Sequence, residues 1–366
     1  MKCIDEENKL AGKVVLVRAG LNTPLHNGKV INDFRVRKAL PTLQFLRAQG
    51  AKVIVIAHIG RHGSESLAGV AEILNERMPT KFSTRDEIDS SKMTEGEVVL
   101  LENLRQDPRE VENDDGFARE LAALADIFVQ DAFSVCHREH ASIVGIPRHI
   151  DSYAGLLLKA ETTVLERVLR PERPALFVLG GSKFATKEPL IRKFIDVYDK
   201  IFVGGALQNE FLAARGIAVG RSVIEDGAVP SDLLVSDKMH AVVDVVVEHE
   251  DSTKANVPID RVRHKDTIVD IGENTIASLS SELMRYKTIL WNGPLGWYER
   301  GYDTATANLA RAVVDSGAET IVGGGDTVAV IQKEGLEDRF DFVSTGGGAM
   351  LAFLLHKTLP GIEVLK

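Results

Sequence analysis

Two lysines with helical spacing stand directly behind a pair of glycines in the second half of the chain. Lys183 and Lys187 follow Gly180-Gly181, and residues four apart lie on one face of a helix. A solvated helix face is the usual explanation of such a pair. After a glycine turn we prefer phosphate contacts, because the first turn of a helix also presents free N–H groups and a positive dipole end to an anion.

A carboxylate follows a glycine triplet further along the chain. Gly323-Gly324-Gly325 precedes Asp326 and Thr327. Helix capping alone would explain an aspartate in this position. Beside glycines that accommodate phosphates, however, one carboxylate can hold Mg²⁺ together with phosphate oxygens and water. The sequence therefore indicates Asp326 as a candidate metal ligand.

Cationic side chains follow predicted strand ends in the first half of the chain and mark its junction with the second half. They are Arg35, His58, Arg61, Arg138 and Arg173. Single arginines are usually surface residues. Together they predict a site for a doubly anionic substrate, because a planar guanidinium binds carboxylate or phosphate through paired hydrogen bonds. His137 and His140 have the spacing of metal ligands, but without a further Cys/His cluster we favour capping or packing.

Short apolar runs that end in glycine must position these residues. In the second half the runs are Leu176–Leu179, Ile201–Val203, Ile289–Trp291, Ile321–Val322 and Phe342–Ser344. A β-rich run followed by glycine and then a helical pattern is one unit of a parallel α/β sheet. Tight turns would explain any single glycine pair. Their repetition favours a phosphate-rich nucleotide lying across the strand tips, where the missing Cβ lets a ligand approach the backbone.

The first half of the chain has the same organisation. Its strand candidates are Val14–Arg18, Val53–Ala57, Val98–Leu101 and Ile127–Val129, with helical patterns such as Arg35–Gln49 and Gly116–Ala125. A helical stretch over residues 153–169 ends where Pro171 and Pro174 interrupt it. The sequence predicts two α/β domains with doubly wound parallel sheets, residues 1–170 for an acid substrate and 171–347 for the nucleotide, followed by a tail over 348–366.

Bulk properties narrow the class of function. The 366 residues exceed the ~250–300 at which single cores stop growing, which agrees with two domains. The formal charge of −9 gives no reason to expect nucleic acid as a partner. The charged amino terminus lacks the apolar core of a signal peptide, no apolar run approaches the ~20 residues of a membrane span, and Cys3 and Cys136 suggest no disulfide framework. We expect a cytoplasmic protein that does not bind a membrane.

The usual nucleotide fingerprints, a P-loop or a G-x-G-x-x-G after a strand, are absent from the sequence. Another set of motifs nevertheless resembles the phosphoglycerate kinase family over nearly the whole chain, in the family's order. The matching stretches are GKVVLVRAGLNTP (12–24), RVRKALPT (35–42), HIGR (58–61), LLENLR (100–105), DAF (131–133), HREHAS (137–142), GGSKFATK (180–187), DIG (270–272), NGPLG (292–296), GGGDT (323–327), STGGGA (344–349) and LPG (359–361).

This resemblance implies two α/β domains around a cleft, joined by a hinge helix near residues 153–175, with the carboxyl-terminal tail packing back on the first domain. Members of the family transfer a phosphoryl group between the acyl phosphate of 1,3-bisphosphoglycerate and ADP, giving 3-phosphoglycerate and ATP, with Mg²⁺. In the ATP-consuming direction the nucleophile is a carboxylate, ionised at pH 7, so no general base is needed. Closure of the cleft would bring Arg35 to Lys183 and exclude water.

The resemblance also implies roles for individual residues. The phosphoglycerate would be held by Asn22, Arg35, His58, Arg61, Arg138 and Arg173. The nucleotide would be held by Gly181, Lys183, Lys187, Gly204, Gly205, Asn292, Pro294, Gly296, Glu299 (on the ribose), Gly325, Asp326 and Thr327, with the metal at Asp326. Charge on the transferring phosphoryl group would be neutralised by Arg35, Lys183 and the backbone N–H groups of Gly346, Gly347 and Gly348.

Some positions depart from the family pattern. Gly20 replaces an aspartate that accepts the substrate's C2 hydroxyl, and Thr186 replaces an aspartate of the GGAKV-x-DK motif. Gly20 leaves open a kinase for a different small carboxylic acid, and a catalytically weak paralogue that only binds nucleotide is a third hypothesis. Retention of Arg35, Lys183, Asp326 and the final glycine triplet argues against the paralogue. Retention of all five cations of the acid site favours a phosphoglycerate kinase over a kinase for another acid. We expect a monomer, with a homodimer as the alternative.

Overall fold

The computed structural model describes residues 1–225 and 229–366. The chain forms two compact units, the first from residues 1–163 together with 356–366 and the second from residues 164–355. The limits predicted from the sequence, after residues 170 and 347, differ from these because a helix crosses each limit of the units. Among the described residues, no helix has the length and apolar character needed to cross a membrane.

The first unit alternates strands and helices along the chain. Its elements are β1 Val14–Arg18, β2 Leu25–His26, β3 Lys29–Val30, α1 Phe34–Ala48, β4 Lys52–Ile56, α2 Ala68–Arg77, β5 Lys81–Ser83, β6 Val98–Leu101, α3 Asp115–Ala122, β7 Ile127–Gln130, β8 Ser152–Ala154 and α4 Leu156–Val168, of which α4 runs on into the second unit.

The sheet of the first unit is parallel and buried on both faces. Its strand order is β5-β6-β4-β1-β7-β8, with every pairing parallel. Alternate residues of β1 enter different cores: Val15 and Val17 pack with α1 and α2, whereas Leu16 packs with α3. Period-two side-chain direction combined with apolar residues at every position gives this doubly covered sheet. The carboxyl ends of β6, β4, β1 and β7 therefore lie side by side at one edge.

The second unit also alternates strands and helices. Its elements are β9 Ala175–Leu179, α5 Phe184–Ile195, β10 Lys200–Val203, α6 Ala206–Ala214, α7 Ser231–Val235, β11 Asp244–Glu248, β12 Lys254–Pro258, β13 Thr267–Ile271, α8 Glu273–Glu282, β14 Thr288–Asn292, α9 Thr304–Val314, β15 Glu319–Gly323, α10 Gly325–Lys333, β16 Phe342–Val343 and α11 Gly347–His356; α12 Pro360–Glu363 belongs to the first unit.

The main sheet of the second unit has the order β10-β9-β14-β15-β16, again with every pairing parallel. The predicted α/β class with parallel sheets is confirmed. A separate sheet, β12-β11-β13, is antiparallel and was not predicted. Its edge strand β12 has exposed residues alternating with half-buried ones, a pattern that carries little apolar signal.

Two contacts of the first unit involve segments near its limits. Asp131 accepts hydrogen bonds from the N–H groups of Leu157 and Leu158 at 3.0 and 3.1 Å, which caps α4. A Cβ on Gly155 would collide with the Asp131 carboxylate, so this cap requires glycine. In the tail, the Gly361 N–H donates to the Cys136 carbonyl at 2.9 Å. The tail is thereby part of the first unit's core.

Candidate active site

Glycine loops pack on one another at the carboxyl edge of the second unit's main sheet. A Cβ on Gly180 would collide with the carbonyl oxygen of Pro294, and one on Gly293 with that of Gly180. A Cβ on Gly205 would come within 2.7 Å of the Gly181 nitrogen. At these three positions neighbouring backbone fills the space of the missing Cβ. The sequence predicts instead that a ligand approaches the backbone there. Gly325 differs, because nothing lies within 4 Å of its Cβ position.

Four helices of the second unit begin at this same edge. Helices α5, α6, α10 and α11 start shortly after β9, β10, β15 and β16. Each helix start offers N–H groups without intrahelical partners and the positive end of a dipole. The edge is therefore suited to an anionic ligand, and its glycines allow four such helix starts to lie near one another.

A cavity of about 570 Å³ lies at this edge. The sequence-predicted residues that line it are Gly181, Lys187, Gly205, Asn292, Pro294, Gly296, Glu299, Gly325, Asp326, Gly347 and Gly348. Other predicted residues, Lys183, Gly204, Thr327 and Gly346, are not among those that line it. An apolar part of the lining, which sequence reasoning missed, comes from Val223, Ile268, Val269, Ile271, Leu295, Trp297 and Leu351. Helix starts suited to phosphate groups, beside an apolar wall suited to a base, would fit a nucleotide.

The two predicted lysines have different surroundings. Lys187 is half-buried, its Nζ donates to the Ser182 carbonyl at 3.1 Å, and burial lowers its pKa, with a smaller contribution from the charge of Lys183 in the same direction. Lys183 is exposed and caps α5 with φ 48° and ψ 72°, in the left-handed region. Such a backbone conformation is strained for a residue with a Cβ. We take this strain as a sign that the position of Lys183 is functional.

Thr186 supports that unusual backbone. Its hydroxyl donates to the Lys183 carbonyl at 2.9 Å, within the first turn of α5. The residue that replaces the family's aspartate therefore has a local structural role here, without offering a charge to a metal.

Asp326 is the candidate metal ligand, and its surroundings favour a cation. Burial raises its pKa first, and the negative charge of Glu299 raises it further. A bound cation would relieve both effects. Within residues 1–225 and 229–366, no three His, Cys, Asp or Glu side chains are grouped to form a metal cage. A metal at Asp326 would therefore take most of its ligands from phosphate oxygens and water, as is usual for Mg²⁺ in proteins.

In the first unit, cations gather at the carboxyl edge of the parallel sheet. Burial lowers the pKa of His58 well below its usual range, and positive charge from Arg18, Arg105, Arg138 and Arg35 lowers it further. Burial likewise lowers the pKa of Arg35, with Arg138 acting in the same direction and Glu161 opposing it. These five residues, which we call the basic cluster, come from β1, α1 and the loops after β4, β6 and β7. Concentrated positive charge of this kind is what a substrate with several negative charges requires.

Hydrogen bonds hold the loops of the basic cluster in register. The Asn22 carbonyl accepts from Arg35 at 2.7 Å, and its side-chain oxygen accepts from the Gly60 N–H at 2.9 Å. The buried Asn103 side chain bonds both the N–H and the carbonyl of Ile59, at 3.1 and 2.9 Å. Arg105 donates to the Gly60 carbonyl. Asn22 thus anchors the loop that carries His58 and the exposed Arg61.

Arg173 does not belong to this group. It lies in the second unit, its side chain is 58% exposed and ion-paired with Asp199, and Asp199 also accepts from the Ala175 N–H at 2.7 Å. Because Ala175 begins β9, Arg173 lies at the amino end of that strand, opposite the glycine loops. These surroundings give no support to the predicted role of Arg173. Arg105, the last residue of LLENLR, lies in the basic cluster.

His137 and His140 are half-buried near the arginines of the basic cluster. Burial lowers the pKa of both side chains, to about 4 in the case of His140, and the charge of Arg138 adds to the effect for each. The His140 Nδ1 atom lies 3.9 Å from a carboxylate oxygen of Glu110. These histidines flank the basic cluster as neutral polar groups.

The position of the missing aspartate is next to the same cluster. Gly20 follows β1, and a Cβ built on it would meet the Ser134 hydroxyl oxygen at 3.3 Å and the Ala132 Cα at 3.7 Å. Its φ lies outside the left-handed region. A side chain at position 20 is therefore compatible with the backbone, provided that Ser134 moves by a few tenths of an ångström.

Comparison with known proteins gives consistent relatives. A family model described as "Phosphoglycerate kinase" matches residues 4–357. The phosphoglycerate kinase of Dictyoglomus turgidum is 39% identical over 384 aligned positions, covering 98% of this chain and 97% of the relative. That of Rubrobacter xylanophilus is 39% identical over 377 positions, covering 98% and 96%.

Solved structures with the same name are also similar. Phosphoglycerate kinase from Coxiella burnetii has a TM-score of 0.82 at 36% identity, covering 99% of this chain and 98% of that one. The enzyme from Pyrococcus horikoshii has a TM-score of 0.87 at 28% identity, covering 100% and 98%. The similarity extends over both units in sequence and in fold.

Proposed function

Since the chain belongs to the phosphoglycerate kinase family, we propose that it transfers a phosphoryl group between the acyl phosphate of 1,3-bisphosphoglycerate and ADP, giving 3-phosphoglycerate and ATP. The observation that carries this proposal is the basic cluster. Its four arginines surround a histidine that is 2% exposed, and positive charge concentrated in this way favours the binding of an anionic ligand.

We assign the acid to the first unit and the nucleotide to the second. Asn22, Arg35, His58, Arg61, Arg105 and Arg138 bind the carboxylate and phosphate of the acid, with Arg105 replacing Arg173 in the set expected from the sequence. The cavity residues of the second unit bind ADP, with Lys187 at the phosphates and Glu299 at the ribose. Thr327 is fully buried in the first turn of α10, and its hydroxyl oxygen has no hydrogen-bond partner among the described residues.

The chemistry needs positioning and charge neutralisation. In the direction that consumes ATP, the attacking group is the carboxylate of 3-phosphoglycerate, which is ionised at neutral pH. A general base therefore has no proton to remove. Lys183, Arg35 and the backbone N–H groups at Gly346-Gly347-Gly348 offset the negative charge of the phosphoryl group in transfer.

Asp326 would hold Mg²⁺, which supplies positive charge to the nucleotide's phosphate oxygens when bound. The raised pKa of this carboxyl predicts that proton and metal compete for it. Weakening of Mg²⁺ binding on acidification, followed by calorimetry in the presence of ADP, would support the assignment. An Asp326→Asn variant with unchanged Mg²⁺ affinity would refute it.

A second candidate, a kinase for another small carboxylic acid, is favoured by Gly20. This position lacks the hydroxyl-accepting carboxylate, and the nearby Ser134 hydroxyl is a weaker substitute. Loss of a charged acceptor costs about 1.5–3 kcal/mol of binding, unless a neighbour or water replaces it.

The deciding experiment is a coupled assay of ATP-dependent phosphorylation of 3-phosphoglycerate, with Gly20→Asp and Gly20→Ala beside the wild type. Wild-type turnover of ~1–10³ s⁻¹ would establish the proposed activity. Absence of turnover in the wild type with activity in Gly20→Asp only would favour a different natural acid. The alanine variant shows whether any gain is due to the carboxylate or to filling the space.

A further inference from the structure

One arginine of the basic cluster is fully buried and contacts the histidine of the cluster directly. Arg18 is the last residue of β1 and is 0% exposed. It donates from Nε to the Ser142 hydroxyl at 2.8 Å and from one terminal nitrogen to the Ala19 carbonyl at 2.6 Å. Its other terminal nitrogen lies 2.8 Å from Nδ1 of His58. With no exposed surface, Arg18 cannot contact a substrate itself.

The direction of each hydrogen bond in this chain follows from the chemistry of arginine. A guanidinium has donors and no acceptor, so Nδ1 of His58 must accept. The His58 ring then carries its single proton on Nε2. On the other side, the Ser142 hydroxyl accepts from Arg18 and so donates to Glu110, 2.6 Å away. The second Glu110 oxygen accepts from the Ser142 N–H at 2.9 Å. Glu110 with both oxygens accepting matches an ionised carboxylate.

The charges around His58 act in the same direction as this hydrogen bond. Arg18 from β1, Arg35 from α1, Arg105 after β6 and Arg138 after β7 each disfavour a second proton on the ring. The nearest counter-charges act on the arginines: Glu110 on Arg18 and Arg105, and Glu161 on Arg35. His140 is itself neutral, since its pKa is lowered to about 4. No described residue accepts a hydrogen bond from Nε2 of His58.

We propose that Arg18 is a positioning residue that fixes His58 as the neutral Nε2–H tautomer, so that His58 donates a hydrogen bond to an anionic oxygen of the acid substrate and adds no positive charge. The identity of that ligand rests on the proposed function, whereas the tautomer does not. A cluster of arginines that also contained an imidazolium would lose affinity as the pH rose through the histidine range. A neutral donor keeps the geometry constant over that range.

The tautomer is measurable without substrate by long-range ¹H–¹⁵N correlation spectra of ¹⁵N-histidine-labelled protein, with His58→Gln to assign the signals. We expect the His58 ring to show a protonated Nε2 and an unprotonated Nδ1, unchanged from pH 5 to pH 8. A His58 ring protonated on Nδ1, or one that titrates within this range, would overturn the proposal. This test needs no Arg18 variant and does not depend on whether the chain is an active kinase.

Arg18 variants test the cause of the tautomer. Arg18→Met should release Nδ1 and give His58 a mixture of tautomers, whereas Arg18→Lys, which keeps one donor, should restore part of the Nε2–H population. Arg47→Met is the matched control, since Arg47 is an exposed arginine of the same unit, and should leave the His58 signals unchanged. A pure Nε2–H ring in folded Arg18→Met would show that Arg18 is not the cause. If Arg18→Met does not fold, the lysine variant and the wild-type spectra still decide.

The donor role is tested by the KM for 3-phosphoglycerate. A glutamine amide nitrogen can replace ring Nε2, whereas an asparagine amide corresponds in reach to Nδ1. We expect His58→Gln to raise KM by less than about tenfold and His58→Asn by more than about tenfold, because only the glutamine keeps the hydrogen bond to a charged group. Equal effects of the two substitutions would overturn the donor role. Absence of turnover in the wild type would count against the proposed function and leave the tautomer result standing.

Discussion

The edge of the first unit proposed to bind the acid and the edge of the second proposed to bind the nucleotide are both rows of loops at the carboxyl ends of parallel strands. They differ in the residues from which they are built. The first edge depends on arginines with long charged side chains, such as the half-buried Arg35, placed around the buried His58. The second depends on glycines such as Gly180 and Gly293 whose backbones touch. The first is therefore sensitive to the loss of a charge, and the second to the addition of a methyl group.

This contrast reflects what each ligand demands. An acid with two anionic groups needs charge delivered at defined points, which guanidinium groups supply. A nucleotide needs several helix starts close together and an apolar wall, and bulky side chains would hold those helices apart. Substitutions that distinguish the two edges follow, in order of decreasing effect.

The largest effect is expected at Lys183, a side chain that supplies charge to the edge built of glycines. Lys183→Ala should lower kcat by about 10²–10³-fold, as for the loss of one donor to a developing charge, with the KM for ATP changed only a few-fold. Lys187→Ala is the comparison, and should raise the KM for ATP instead, because Lys187 lines the cavity. Steady-state kinetics of both variants measures this split. Similar losses of binding and turnover at Lys183 would make it a binding residue only.

The next effect separates two arginines that the sequence did not distinguish. Arg105→Met should raise the KM for 3-phosphoglycerate by about 10–100-fold, the loss of a hydrogen bond to a charged group. Arg173→Met should leave it unchanged within about twofold, the size of effect usual for an exposed pair. Both are measured in the same coupled assay. A reversed order would restore Arg173 to the acid site and remove Arg105 from it.

At the glycine-built edge, one added methyl group should be enough to disturb the site. Gly180→Ala should lower the free energy of unfolding by about 1–3 kcal/mol, because its Cβ would overlap backbone that has no room to move. Gly325→Ala, where the space is open, is the matched control and should unfold like the wild type. Urea denaturation followed by circular dichroism compares them. Equal stability of the two variants would mean that the loops are not tightly packed.

The smallest effect compares one buried carboxylate from each unit. Burial raises the pKa of Asp131 and of Asp270 to about 7. A carboxyl group with a raised pKa in the folded state contributes most stability below its unfolded pKa near 4 and loses that contribution as pH rises to about 7. Asp131→Asn and Asp270→Asn should therefore gain in stability relative to the wild type over pH 4–7. If the difference in the free energy of unfolding between each variant and the wild type does not change with pH, neither group titrates between pH 4 and 7.

Much of the fold could be predicted because glycine interrupts apolar runs at regular points. β1 and β6 have the predicted bounds, and β9, β10, β14, β15 and β16 lie where the glycine-terminated runs are. The antiparallel sheet could not be found in this way, since β12 alternates between exposed and half-buried residues and no glycine ends it.

The sequence predicts site residues well where they lie at the ends of motifs. It predicts them less well where the role of a residue depends on contacts with residues distant in sequence. In the sequence, Arg18 is only the polar last residue of a predicted strand. Its positioning role is inferred from its contact with His58, which the sequence does not show. The sequence indicates Arg173 because it lies at the predicted domain junction. Its ion-pair partner Asp199 is 26 residues away in sequence, so the pairing could not be predicted from a local pattern. The apolar residues that line the cavity come from β13, from α11 and from loops far apart in sequence, so no local sequence pattern predicts them.

The membership of residues 356–366 in the first unit has a consequence for synthesis on the ribosome. The ribosome makes residues 164–355 before residues 356–366, which complete the first unit and include the hydrogen bond from Gly361 to Cys136. The second unit can therefore complete its own core while the first still lacks a piece. We expect the first unit of a nascent chain to stay open to chaperones and proteases longest, although it emerges from the ribosome first.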